Sequence, residues 1–295
     1  MSNRDMLIAL YIVLIWGINF VVIAWGLEGI PPMLLGGLRF LMVASIGSLF
    51  FKRPNIPIIW WVAYAIPISF LQFAFLFSAM AYGMPAGLAS LALQAQALFT
   101  LLFAFLILKE AIKGYQISAI LVATSGLILI ASSHDTHAMT AAGFGLTLAG
   151  AGAWALGNIC NRSISNRGYD ANVNLIIWSA WIPPIPFFIC SVWLEGSDQI
   201  ISSLTNFGWQ SFASLAYLAV IATITGYGLW SYLLSRYPAA QIAPLSLGVP
   251  VVGLTSAGIL LNESITGIQW AGTALVLTGL LVNTFGNRFS RRSSL

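Results

Sequence analysis

The sequence predicts an all-α integral membrane protein: ten transmembrane helices arranged as two inverted five-helix repeats. Three observations carry this expectation. Of the 295 residues, 59% are hydrophobic and only 7% charged, with a mean hydropathy of +0.91, whereas soluble domains carry about a quarter charged residues. Apolar runs of about 20 residues, long enough to cross a bilayer core, recur along the whole chain. Finally, Lys and Arg fall in alternate connections, and cationic loops are retained on the cytoplasmic side.

The runs are placed at roughly 6–26, 33–51, 58–82, 86–108 and 114–132, then 140–161, 172–194, 209–234, 239–261 and 266–286. Helix 1 is too long for a signal-peptide core and no small-residue cleavage site follows it, so it is read as retained. Helix 2 begins after Pro31 and Pro32, and helix 3 is interrupted by Pro67. Helix 4 follows Pro85 and helix 5 follows Glu110. Helix 6 carries a fourfold stripe of Gly145, Ala149, Ala153 and Gly157, which permits close helix approach. Pro183, Pro184 and Pro186 interrupt helix 7, and helix 8 holds Thr223, Tyr227 and Trp230. Helix 9 follows Pro238 and contains Pro244 and Pro250, which free backbone carbonyls and mark it as the first choice of hinge. Helix 10 follows Glu263 and carries Gly272, Gly279 and Gly286. Both glycine-rich stripes are packing seams, inside a monomer or between the copies of a homodimer.

With the amino terminus cytoplasmic, Arg4, Lys52, Arg53, Lys109, Lys113, Arg162, Arg167, Arg236, Arg288, Arg291 and Arg292 all lie on that side, as do both termini. Glu28, Asp135, Glu195, Asp198 and Glu263 occupy the other connections, without a cation. The pI of 9.2 comes from the loop cations, which suit an anionic leaflet. No basic patch is interleaved with aromatics, so the expected partners are the lipid bilayer and a small-molecule substrate, not nucleic acid. Connections this short leave no room for a second domain. Cys160 and Cys190 lie towards opposite membrane faces, beyond disulfide reach.

The chain also repeats itself. Glu110, Gly114, Gln116 and Gly126 recur 153 residues later as Glu263, Gly267, Gln269 and Gly279, and Pro85 recurs as Pro238. Trp16 pairs more weakly with Trp154. The units are 1–137 and 138–295, and an odd helix count inverts the second relative to the first. Lys109 and Lys113 become Asn262 and Thr266, so the cations vanish where the copy faces outward. Secondary transporters use this architecture, with substrate held between the halves near the midplane.

The stretches "WGINFVVIAWGLEGIPPMLLGGLRF", "QFAFLFSAMAYGMPAGLASLALQAQA" and "APLSLGVPVVGLTSAGILLNE" resemble the EamA family of drug/metabolite transporters, and within it the bacterial exporters of cysteine and O-acetylserine. The resemblance covers nearly the whole chain. It implies a ten-helix inner-membrane bundle that exports small metabolites by alternating access.

Polar side chains at mid-membrane depth need a partner, a cavity or a ligand. The substrate-binding candidates are Trp16 and Asn19 on helix 1, Gln72 on helix 3, and Gln94 on helix 4. In the second unit they are Trp154 and Asn158 on helix 6, Tyr227 and Trp230 on helix 8, and Ser246 on helix 9. Ser69 shares the face of Gln72, three residues away. Gln94 is preferred to Gln96 because the two are about 200° apart on an α-helix. Arg39 is the only charge well inside a span. It either snorkels outward to Glu28 or Glu263 as a gate or structural pin, or holds a substrate carboxylate.

No Asp, Glu or His lies near the centre of a span, and such groups are the usual proton relays. The expectation is a facilitator or exchanger without cofactor or metal. His134 and His137 beside Asp135 read as loop residues, and Glu110 and Glu263 as caps of helices 5 and 10. Amides, hydroxyls and indoles without a central charge suit a small zwitterion or polar neutral solute, such as an amino acid or its acetylated precursor. Aromatic amino acids, nucleobases and drug-like compounds remain alternatives. An enzyme needs a nucleophile, acid or metal cluster that the sequence lacks, and a channel needs a continuous polar stripe.

Overall fold

A computed structural model describes residues 1–133 and 139–290, and among them every regular element is helical. His134, Asp135, His137, Arg291 and Arg292 lie outside the described residues, as does the side chain of Arg288. Helices 1 to 5 are Asn3–Gly29, Pro32–Phe50, Ile58–Ala81, Ala86–Leu108 and Gly114–Ala131. Helix 6 is Ala141–Asn166, and helix 7 is two pieces, Val173–Ser179 and Pro184–Leu194. Helix 8 is Trp209–Arg236, helix 9 runs from Ala239–Ile242 directly into Ala243–Leu260, and helix 10 is Gly267–Ser290. A short Ser197–Thr205 helix with no buried residue joins helices 7 and 8.

Eight of these helices are long and apolar enough to cross a bilayer, and the two pieces of helix 7, bent by 41°, make a ninth if taken as one. Helix 6 has the length, 26 residues, but its Gly- and Ala-rich sequence falls short in apolarity. It packs between helices 3 and 4, and its small residues permit that close approach.

The bundle has two faces. At the first, the Ser2 N–H donates to the Tyr237 hydroxyl at 3.2 Å, joining the start of helix 1 to the end of helix 8. At the opposite face the Glu195 carboxylate accepts from the N–H groups of Met33 and Leu34 at the start of helix 2, at 2.5 and 3.2 Å. Glu263 does the same for helix 4, accepting from Ala86 at 2.7 Å and Gly87 at 2.9 Å. These carboxylates satisfy orphan helix N–H groups and meet the positive end of the helix dipole. Glu263 therefore caps helix 4 rather than its own helix 10. Glu110 caps nothing; it forms an ion pair with Arg162 at 2.9 Å.

The two units carry the same irregularities. Helix 3 winds as a π-helix over Ile66–Leu71; shifted by 153 residues this falls at 219–224, inside the π-wound Tyr217–Thr225 of helix 8. Helix 4 tightens to 3₁₀ winding at Leu93–Ala95, and helix 9 at Ala243–Leu247. Pro67 and Pro244 have no proline counterpart, yet the break is present in both copies. The prolines reinforce these breaks and do not create them. Lys109 and Asn262, 153 apart, are the two described non-glycine residues with positive φ, 59° and 54°. Helix 1 packs on helix 9 as helix 6 packs on helix 4, while helices 2 and 7, and 5 and 10, pair across the units.

Close approach is set by glycine. A Cβ on Gly279 would sit 2.8 Å from the Ala119 carbonyl oxygen, and one on Gly272 would sit 2.8 Å from that of Gly126, so the seam between helices 5 and 10 admits no side chain. On helix 6 the seam differs from the expected stripe. Gly143, Gly150 and Gly157 face helix 3 and its loop, whereas a Cβ on Gly145 would meet nothing within 4 Å. The helix presents every seventh residue to its neighbour, and Gly145 and Ala149 fall on the exposed side.

Candidate functional site

A cavity of about 490 Å³ is lined by residues of both units, inside the range of roughly 300–1,000 Å³ usual for small-molecule sites. All nine residues expected to meet substrate line it: Trp16, Asn19, Gln72 and Gln94 from the first unit, and Trp154, Asn158, Tyr227, Trp230 and Ser246 from the second. Arg39 lines it as well; Glu28, Glu263, Pro244, Pro250 and Ser69 do not. The exposed lining residues, Asn172, Leu234 and Ala243, all sit at helix ends on the Ser2 face. Towards the Glu263 face the lining is buried, with Leu76, Ser90 and Leu93 each at 3% exposure or less. The cavity therefore opens at the Ser2 face and is closed at the other.

An aromatic cluster forms one wall. The Trp16 ring lies 5.3 Å from both Tyr227 and Trp230, tilted by 53° and 48°. Its indole N–H donates to the Ala222 carbonyl at 2.9 Å, inside the π-wound stretch of helix 8. A Cβ on Gly226 would lie 2.6 Å from the Trp16 Nε1, so glycine there leaves room for the indole. Pi-wound turns are common at functional sites because they redirect side chains and free backbone groups.

Amides form another part of the lining. Asn158 donates from Nδ2 to Gln96 Oε1 at 3.0 Å and to Thr100 Oγ1 at 3.2 Å, which leaves the Gln96 NH₂ and the Asn158 carbonyl uncommitted. Gln94 and Gln96 both line the cavity, so the preference for Gln94 alone does not stand. The 3₁₀ turn at Leu93–Ala95 advances about 120° per residue instead of 100°, which narrows the angle between the two glutamines and turns both inward. Tyr64, Ser90, Asn161, Asn172 and Ser231 are further polar lining residues beyond the sequence-derived candidates. Tyr64, Ile68, Gln72 and Leu76 recur at fourfold spacing, and Asn161 follows Asn158 by three, so helical periodicity points to them. Asn172 sits in a turn and has no such signal.

Arg39 closes the floor and corrects the snorkelling expectation. It is 3% exposed, and its Nη2 donates to Thr223 Oγ1 at 3.0 Å. Its guanidinium carbon stands 4.1 Å from the Phe73 ring centre, with Phe40 at 5.6 Å and Phe77 at 5.9 Å. A guanidinium seated among aromatic faces keeps its charge inside the bundle without a carboxylate. Glu28 is occupied elsewhere, accepting from Gln210 Nε2 at 2.7 Å. Arg39 Nε and Nη1 and Asn19 Oδ1 are buried without a hydrogen-bond partner. No Asp, Glu or His is among the residues that line the cavity.

A family model described as the EamA-like transporter family matches residues 4–132 and again 141–285. A protein of Escherichia coli (strain K12) named "Probable amino-acid metabolite efflux pump" is 49% identical over 293 residues, covering 99% of this chain and 98% of its own length. A protein of the same name from Salmonella typhimurium is 48% identical with the same coverage. One crystal structure, 17% identical, matches with a TM-score of 0.66 over 98% of this chain and 99% of that one, a likeness of fold. With both units matched by one model and a relative similar from end to end, the chain belongs to the EamA-like transporter family.

Proposed function

We propose that this protein is a bacterial inner-membrane secondary exporter of small zwitterionic metabolites, amino acids and derivatives such as cysteine and O-acetylserine, working by alternating access. The observation that carries the reading is the one-sided cavity: amides, hydroxyls and indoles, one aromatic-sheathed cation, and no acid. Indole faces attract an ammonium group, and uncommitted amide donors satisfy a carboxylate. The name borne by the two relatives that match from end to end agrees with this chemistry. Ten crossings follow if bent helix 7 and the Gly- and Ala-rich helix 6 both span. The units are then 1–137 and 138–295, inverted, with both termini in the cytoplasm as the cation partition requires. The open Ser2 face is then cytoplasmic, the state that loads an export substrate. Without a carboxylate or imidazole in the cavity, the mode is exchange or facilitated efflux.

The test is export from overexpressing cells of labelled O-acetylserine, cysteine, phenylalanine and adenine. The first two are expected to leave faster than in cells without the protein. Accelerated loss of phenylalanine or adenine alone would replace this substrate class.

A further inference from the structure

The loops after helices 4 and 9 are the same local structure built twice. Lys109 and Asn262 each take the left-handed conformation, and the Glu that follows each donates its N–H six residues back, Glu110 to the Ala104 carbonyl at 3.2 Å and Glu263 to Ala257 at 3.3 Å. Gln116 and Gln269 then accept from the N–H groups of Lys113 and Thr266, at 2.8 and 3.0 Å. Two carboxylates are thus presented alike by their own loops, yet their partners differ. Glu263 holds both N–H groups at the start of helix 4, on the closed face. Glu110 is swung to Arg162, on the face where the cavity is open.

The repeat supplies the missing half of the comparison. Ala86 and Gly87, the residues Glu263 holds, correspond after the shift of 153 to positions 239 and 240, the start of helix 9. The first N–H groups of a helix have no acceptor within it, and helix 9 begins on the Ser2 face beside exposed Ala243 at the cavity mouth. The geometry points to an alternating latch: Glu263 clamps helix 4 when the cavity opens at the Ser2 face, and Glu110 clamps helix 9 when it opens at the other. Arg162 is the resting partner of Glu110 and competes with that second clamp. Lys109 and Lys113 flank Glu110 where the copy has Asn262 and Thr266, so the two latches differ in strength. The latch rests on the alternating-access reading but not on any choice of substrate.

Electron–electron distance measurements on spin-labelled protein in proteoliposomes test it, with Cys160 and Cys190 replaced by Ser. One label pair at Tyr82 and Ser264 reports the Glu263 face; its repeat equivalent at Ala111 and Ser235 reports the Ser2 face, and all four positions are exposed. Glu263→Gln is expected to raise the long-distance population of the first pair and the short-distance population of the second. Glu110→Gln is expected to do the reverse. Each change is about tenfold in the population ratio, which about 1.4 kcal/mol produces. Arg162→Ala, on the face opposite the helix 4 N-terminus that Glu263 holds, is expected to act in the same direction as Glu263→Gln. If Glu110→Gln and Glu263→Gln move the populations in the same direction, or leave them unmoved while both distances remain populated, the latch is wrong and alternation stands. A single fixed distance for both pairs in every variant, with or without added O-acetylserine, overturns both.

Discussion

Arg39 of helix 2 and Thr223 of helix 8 are joined by a 3.0 Å hydrogen bond, and the same threonine hydroxyl donates onward to the Leu218 carbonyl at 2.8 Å. The cation is therefore tied into the π-wound stretch and sheathed by Phe73. We propose that Arg39 acts as a structural pin. Arg39→Lys keeps the charge but loses the planar stack and the reach to Thr223, and is expected to lower stability by about 1–3 kcal/mol. Thermal unfolding in detergent reads that loss, while substrate KM stays within about twofold. An unchanged melt with KM raised tenfold would make Arg39 a carboxylate ligand.

Trp230 packs against Trp16 at a 48° tilt and makes no hydrogen bond among the described residues, so its role in the cavity separates from structure. Trp230→Phe is expected to retain transport. Trp230→Ala, which removes the aromatic face, is expected to cost roughly 1–2 kcal/mol in affinity for an ammonium-bearing substrate. Inhibition of uptake by graded unlabelled substrate measures it. Equal affinity in both variants excludes a cation–aromatic contribution.

The seams give a paired stability test. Gly279→Val drives its Cβ against the Ala119 carbonyl, whereas Gly145→Val meets open space. Overpacking costs about 1–3 kcal/mol, so the first variant is expected to lower the unfolding midpoint and the second to leave it in place. Comparing both melts with the parent protein decides the matter. A fall for Gly145→Val would move the seam back to the stripe read from the sequence.

The cavity lacks a group that titrates near neutrality. Exchange in proteoliposomes is therefore expected to run at one rate between about pH 6 and 8, the interval in which histidine and perturbed carboxylate relays change charge. A rate that collapses when an imposed proton gradient is removed would contradict this.

Much of this was legible in the sequence because bilayers impose few solutions. Length and apolarity mark helices 1 to 5 and 8 to 10, and the 153-residue offset finds both Glu-bearing loops. The nine substrate-binding candidates all line one cavity, whereas Ser69, three residues from Gln72, does not. What pattern missed depends on winding and on contacts across the bundle. The 3₁₀ turn that turns Gln96 inward, the π-stretch without proline in helix 8, and the partners of Arg39, Glu110 and Glu263 come from packing between units. Residue spacing within one helix carries no record of these.

The most direct test of the central claim is counterflow in proteoliposomes loaded with unlabelled O-acetylserine and offered the labelled compound. The account predicts saturable uptake stimulated by internal substrate, with KM raised by Asn158→Leu and Trp154→Ala in protein that melts like the parent. Flux that neither saturates nor responds to internal substrate, and that those two variants leave unchanged, would contradict it.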